Sequence, residues 1–262
     1  MTASDWLGLA GQTCVVTGAA GGIGRETCLE LVRHGARVAA LDLHADGLQG
    51  TVAAARELGG EARAVVCDIS DADAVTAAEV TVREALGPCD VLVNNAGLVR
   101  GAPIADISIT EWQFVLDVNL TGAMLCAQAF GRAMRERGAG AIVHTASICG
   151  SQPLAFAGSY SPSKSALLMF SRQLAAEWAP DCVRSNVVSP GLVRTPMTEE
   201  TYRRPGFAEA RAEAVPLGRV AGPAEMTGAI VFLASDRAAY ITGQEITVDG
   251  GLSQTLMSTV PR

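Results

Sequence analysis

Basic clusters, metal-ligand spacings and membrane-length apolar runs are all missing from this 262-residue chain, and each absence removes a class of function. No run of lysines or arginines occurs and the formal charge is −7, so the basic stripe that a nucleic-acid partner requires is lacking. No uninterrupted apolar stretch is long enough to cross a bilayer, and residues 1–6 carry neither the basic patch nor the apolar core of a secretory signal. No membrane span is expected, and the expected location is the cytoplasm. Histidine is scarce: His34, His44 and His144 have no second ligand at helical or hairpin spacing, so no metal site is expected, and His144, set in an apolar strand, reads as a core residue. The seven cysteines are scattered, odd in number and free of any Cys-x-x-Cys pair. Most of them read as small buried hydrophobes, and their pattern fits the cytoplasm.

What is present is alternation. Short apolar runs at 13–16, 36–42, 62–68, 89–94, 141–147 and 183–189 alternate with helical patterns at 25–34, 45–58, 72–86, 111–137 and 160–178, and a seventh strand is read at 245–248 after a helix through 233. The strands are apolar throughout, as parallel strands covered on both faces are. The reading is an α/β, doubly wound fold: a seven-stranded, mostly parallel sheet with helices on both faces, in one domain spanning 1–262. Ser70-Asp71-Ala72-Asp73 and Ser108-Ile109-Thr110-Glu111 have the spacing of helix N-caps. Between 195 and 216, Pro196, Pro205, Gly206 and Pro216 interrupt short charged stretches, which suggests a lid.

Three stretches carry chemistry. Thr17-Gly18-Ala19-Ala20-Gly21-Gly22-Ile23-Gly24 joins the first strand to the first helix, and its glycines bring backbone close to a phosphate at the helix N-terminus. Asp42, 24 residues after Gly18 at the end of the second strand, stands where a carboxylate accepts hydrogen bonds from the adenosine ribose and repels a 2′-phosphate. This favours NAD over NADP. Tyr160 and Lys164 share a helix face four residues apart. Bringing a phenol from its usual value near 10 to neutrality takes about 4 kcal/mol, and an ammonium beside it supplies much of that. Ser147, thirteen residues upstream of Tyr160, closes the preceding strand.

With Asn94-Asn95-Ala96-Gly97, Tyr160-Ser161-Pro162-Ser163-Lys164 and Pro190-Gly191 following the glycine turn in that order, the chain resembles the short-chain dehydrogenase/reductase family nearly end to end. The resemblance implies a Rossmann fold in which Tyr160 is the general acid/base, Lys164 shifts its pKa and binds the nicotinamide ribose, Ser147 orients the substrate oxygen and Asn119 holds a proton-relay water. It implies cofactor contacts at Gly18, Gly22, Ile23 and Gly24 (pyrophosphate), Asp68 and Ile69 (adenine), Asn95, Ala96 and Gly97 (ribose), and Pro190, Gly191, Val193 and Thr195 (nicotinamide). The activity implied is hydride transfer between a secondary alcohol and its ketone, with NAD preferred over NADP. Leu98, Ile148, Cys149, Phe156, Met197, Tyr202 and Phe207 are candidate substrate contacts, a mostly apolar set that suits a cyclic or medium-sized alcohol, while similar proteins also oxidise sugars and polyols. A homotetramer is implied, built on the two long helices and the last helix and strand, with 252–262 reaching a neighbouring subunit. Two rival readings stand beside this one: a 3-oxoacyl thioester reductase, against which Asp42 counts, and a cofactor-binding regulator without turnover, against which the intact tetrad counts.

Overall fold

The computed structural model describes residues 6–255. Its elements are β1 (Thr13–Thr17), α1 (Gly22–Arg33), β2 (Arg37–Asp42), α2 (Ala45–Glu57), β3 (Ala62–Val66), α3 (Ala72–Leu86), β4 (Val91–Asn94), α4 (Ile109–Leu116), α5 (Gly122–Arg137), β5 (Gly140–Thr145), α6 (Tyr160–Trp178), β6 (Val183–Pro190), α7 (Glu199–Tyr202), α8 (Phe207–Ala214), α9 (Ala224–Ala234) and β7 (Glu245–Val248). The strands form one sheet in the order β3-β2-β1-β4-β5-β6-β7. Every pairing is parallel, so the sheet goes beyond the mostly parallel one expected. The order reverses between β1 and β4, and a crevice opens there at the strands' C-terminal ends.

Period-two alternation divides the core into two layers. Cys14 and Val16, Val38 and Ala40, Val91 and Val93, and Ala141 and Val143 face α1, α2 and α9. Val15, Ala39, Leu41, Leu92 and Ile142 face α3, α5 and α6, where Phe130, Met134 and Trp178 fill the space. Both faces are buried, which is why the strand sequences are apolar without interruption.

Helix starts follow side-chain chemistry. Asp71 accepts hydrogen bonds from the backbone N–H groups of Asp73 and Ala74, at 2.9 and 3.2 Å. Ser108 accepts from Glu111 N–H at 3.1 Å and its own hydroxyl donates to the Glu111 carboxylate at 3.3 Å. The long helix after Ser108 contains a π-helical turn over Asp117–Thr121. Ile109–Arg137 is long enough to cross a membrane and contains an 18-residue window apolar enough to do so, with mean hydropathy 1.3. Here its Cys126, Ala127, Phe130 and Met134 are packed into the core against the sheet. The stretch 195–216 holds the two short helices α7 and α8. Of the tail 252–262, residues 256–262 lie outside the described part of the chain.

Candidate active site

The turn between β1 and α1 is held by the loop after β4. Thr17 Oγ1 accepts from the N–H groups of both Asn95 and Ala96 at 3.0 Å, and Asn95 Nδ2 donates to the carbonyls of Thr17 and Gly18 at 3.0 and 3.3 Å. Contact is close enough to require glycine. Gly18 has φ +68°, and a Cβ there would lie 2.8 Å from Ala96 Cα; a Cβ on Gly24 would lie 2.1 Å from the Gly18 carbonyl oxygen. No side chain caps α1, and its first turn carries no acidic residue. The helix's leading N–H groups and the positive end of its dipole are therefore left for an anion, which is the fit a dinucleotide pyrophosphate needs.

Asp42 ends β2 beside this turn. Its Oδ2 accepts from Ala20 N–H and its Oδ1 from His44 N–H, both at 3.0 Å, so it braces the glycine turn as well as facing the crevice. Asp68 similarly accepts from the Ser70 N–H and hydroxyl at 2.9 and 2.6 Å. Both carboxylates keep unused lone pairs for a ligand.

On the other side of the switch point, Ser147, Tyr160 and Lys164 converge on a cleft of about 800 Å³. Ser147 stands two residues beyond β5 and accepts from Cys149 N–H at 3.1 Å. Lys164 is the only lysine in the sequence. It is buried, its Nζ donates to the Thr145 carbonyl at 2.9 Å, and burial brings its pKa down to about 8. Burial pushes the Tyr160 phenol up, while the Ser147 hydroxyl beside it acts in the opposite sense. The Lys164 ammonium is 5.9 Å from the centre of the Tyr160 ring. Burial is thus the largest influence on the phenol, ahead of the Ser147 hydrogen bond that opposes it.

Asn119 sits inside the π-helical turn, 1% exposed, behind the cleft wall. Its Oδ1 accepts from Leu98 N–H at 2.8 Å, and its Nδ2 donates to the Leu98 carbonyl at 2.9 Å and to Ser163 Oγ at 3.0 Å. Gly97 lets this cluster close up: a Cβ there would be 3.1 Å from Lys164 Nζ and 3.2 Å from Asn119 Oδ1. His144, 0% exposed, faces Asn94 Nδ2 at 3.4 Å and the edge of Phe170. Burial, aided by the Lys164 charge, pushes its pKa down to about 3, so it is a neutral core residue at ordinary pH.

The cleft wall takes in Gly18, Gly22, Ile23, Asp42, Asp68, Ile69, Asn95, Ala96 and Gly97 on one side. Leu98, Cys149, Pro190, Gly191, Val193, Thr195 and Met197 line the other. Gly24 and Asn119 lie behind it. Four of the seven expected substrate contacts are elsewhere. Ile148 is off the wall, Phe156 is 75% exposed with φ +62°, and Tyr202 is buried within the lid, where its hydroxyl has no partner among the described residues. Phe207 is likewise off the wall, whereas Leu154, Phe114, Thr201 and Arg211 are on it. Residue spacing gives no signal for Arg211, since its i−4 neighbour Phe207 lies off the wall.

The arrangement has known counterparts. The family model described as enoyl-(acyl carrier protein) reductase matches residues 18–253. The chain is 42% identical to a galactitol 2-dehydrogenase (L-tagatose-forming) of Cereibacter sphaeroides over 93% of this chain and 95% of the relative. It is 36% identical to the 3-oxoacyl-[acyl-carrier-protein] reductase FabG of Thermotoga maritima over 93% of this chain and 98% of the relative. The crystal structure of L-sorbose reductase from Gluconobacter frateurii with NADPH and L-sorbose superposes with a TM-score of 0.89 at 35% identity, covering 95% of this chain and 98% of that one. With matches of this length and a parallel sheet of the same kind, the chain belongs to the short-chain dehydrogenase/reductase family of oxidoreductases.

Proposed function

We propose that this protein is an NAD-dependent dehydrogenase of secondary alcohols, with polyols, sugars or cyclic alcohols as substrates and Tyr160 as general acid/base. The observation that carries the reading is the convergence of Ser147, Tyr160 and Lys164 on one cleft that also runs past the uncapped N-terminus of α1. A bound nicotinamide dinucleotide would supply the hydride acceptor, held by the glycine turn, Asp42, Asp68, Ile69 and the stretch from Pro190 to Thr195. Ser147 orients the substrate oxygen and Tyr160 takes the alcohol proton. Lys164 would hold the nicotinamide ribose and favour the phenolate, and Asn119 would anchor the relay behind Gly97. The Asp42 carboxylate at the end of β2 supports NAD, since a 2′-phosphate placed there would meet negative charge.

The 36% identical acyl-carrier-protein reductase favours a second reading, a 3-oxoacyl thioester reductase. A screen with NAD and NADP against polyols, cyclic alcohols, hydroxysteroids and hydroxyacyl thioesters separates the two. NAD-linked oxidation of a polyol or cyclic alcohol is expected, with Tyr160→Phe slower by about 10²–10⁴-fold. Unchanged turnover in Tyr160→Phe would remove the mechanism, and a preference for NADP would remove the role of Asp42.

The compartment inferred is the cytoplasm, supported by seven free thiols. The assembly inferred is a homotetramer, supported by the groove between α5 and α6 that carries Met124, Phe170 and Trp178. A solution mass measurement tests it.

A further inference from the structure

Charge in the cleft is segregated by the sheet order. The two carboxylates on its wall, Asp42 and Asp68, follow β2 and β3 at one side, whereas Lys164 and Arg211 belong to elements that follow β5 and β6 at the other. Lys164 is already committed to the Thr145 carbonyl and the Tyr160 neighbourhood. Arg211, on lid helix α8, is not.

The arginines around the lid differ in what holds them. Arg194 forks onto Glu199 through Nε and Nη2 at 2.9 and 2.8 Å, and Arg219 forks onto Glu225. Those are closed ion pairs. The Arg211 guanidinium instead lies over two rings, with Cζ 4.9 Å from the centre of Tyr202 and 5.1 Å from that of Phe207. Among the described residues no carboxylate reaches it, and Glu209 and Glu213, two positions away on either side, project from other faces of the helix. Stacking on ring faces fixes the plane of the fork without consuming its five N–H donors. A half-buried, oriented and unpaired guanidinium on a cleft wall is a receptor for a planar oxyanion. One cation, with no second arginine or lysine among the described residues of the wall beyond the committed Lys164, matches a single negative charge, which points to a carboxylate in preference to a phosphate dianion.

We propose that Arg211 determines specificity by pairing with a carboxylate on the substrate, remote from the carbinol carbon that is oxidised, so that among polyol-type substrates hydroxy acids of the sugar-acid kind are preferred to their neutral counterparts. This rests on the reading of the Tyr160 cleft as an alcohol dehydrogenase site. The carboxylate is unchanged in the reaction: the secondary alcohol loses a hydride to the dinucleotide and its hydroxyl proton to Tyr160, giving the keto acid.

The test compares kcat/KM for aldonates of four to six carbons with that for the alditols of the same skeletons, in the parent, Arg211→Gln, Arg211→Lys and Arg203→Gln. Arg203 is an exposed lid arginine off the cleft wall and serves as the control. The parent is expected to favour aldonates. Arg211→Gln is expected to reduce the aldonate-to-alditol ratio about 10- to 100-fold, mostly through KM, as loss of a charge-assisted hydrogen-bonded pair does. Arg211→Lys should recover part of the ratio and Arg203→Gln should keep it. A ratio unchanged in Arg211→Gln, with a raised KM for the dinucleotide, would overturn the proposal and give Arg211 to the cofactor phosphates. A parent that oxidises alditols but not aldonates overturns the proposal and leaves the dehydrogenase reading standing; one that oxidises neither with either dinucleotide overturns both.

Discussion

Asn119→Ala is the substitution whose cost is best defined by the geometry. The carboxamide makes three hydrogen bonds, two of them to the backbone N–H and carbonyl of Leu98 and one to Ser163, and it is almost fully buried. At a net contribution of about 1 kcal/mol per bond, their loss removes about 3 kcal/mol. For a domain of this size that corresponds to a fall in Tm of about 6–12 °C. Ser163→Ala removes the shared bond and the 2.6 Å bond that Ser163 donates to the Tyr160 carbonyl, for about 2 kcal/mol. Because the Asn119–Ser163 bond is counted in both single variants, the double variant should be less destabilised than their sum by about 1 kcal/mol. Urea unfolding at fixed protein concentration, with equal m-values, measures all three. A cost below about 1 kcal/mol for Asn119→Ala, or strict additivity with Ser163→Ala, would refute the view that this side chain ties the π-helical turn to the cleft wall.

Gly24→Ala would place a methyl group 2.1 Å from the Gly18 carbonyl oxygen, and neither backbone segment can yield cheaply. The variant should lose about 1–3 kcal/mol of stability and bind NAD at least about tenfold more weakly by calorimetric titration; parent-like affinity would contradict so tight a packing of turn against helix. His144 is held neutral down to about pH 3 in the fold but titrates near 6.5 when unfolded, so below about 6.5 the unfolded chain binds the extra proton and stability falls with pH. His144→Asn should therefore lose stability less steeply than the parent between pH 6 and pH 4, by about 1.4 kcal/mol per pH unit; parallel curves would show that the imidazole is not buried neutral.

How far the sequence carries differs by region. Apolar strands are legible because both sheet faces are covered, and α3, α6 and β7 begin and end where the pattern places them. The glycine turn is legible because close backbone contact leaves no other residue type. The π-helical turn at Asn119 leaves no trace, since apolar spacing reports which face is buried and not whether hydrogen bonds span four residues or five. Apolar character alone assigns Phe156, before α6, and Tyr202, in the lid, to the substrate, but one is held outward and the other packs beneath two arginines. The electrostatics of Tyr160 are also beyond spacing, because burial depends on what packs around the phenol.

Lys164, the sole lysine, is 4% exposed within α6. A lysine-specific protease therefore has one scissile bond in the chain, before Ser165, and it is inaccessible while α6 is wound against the sheet. Cleavage by such an enzyme cannot nick loops or frayed ends, so its rate counts only the openings that expose the helix carrying Tyr160. The same residue that lines the cleft thus makes the chain a self-reporting gauge of how often the helix carrying Tyr160 comes apart.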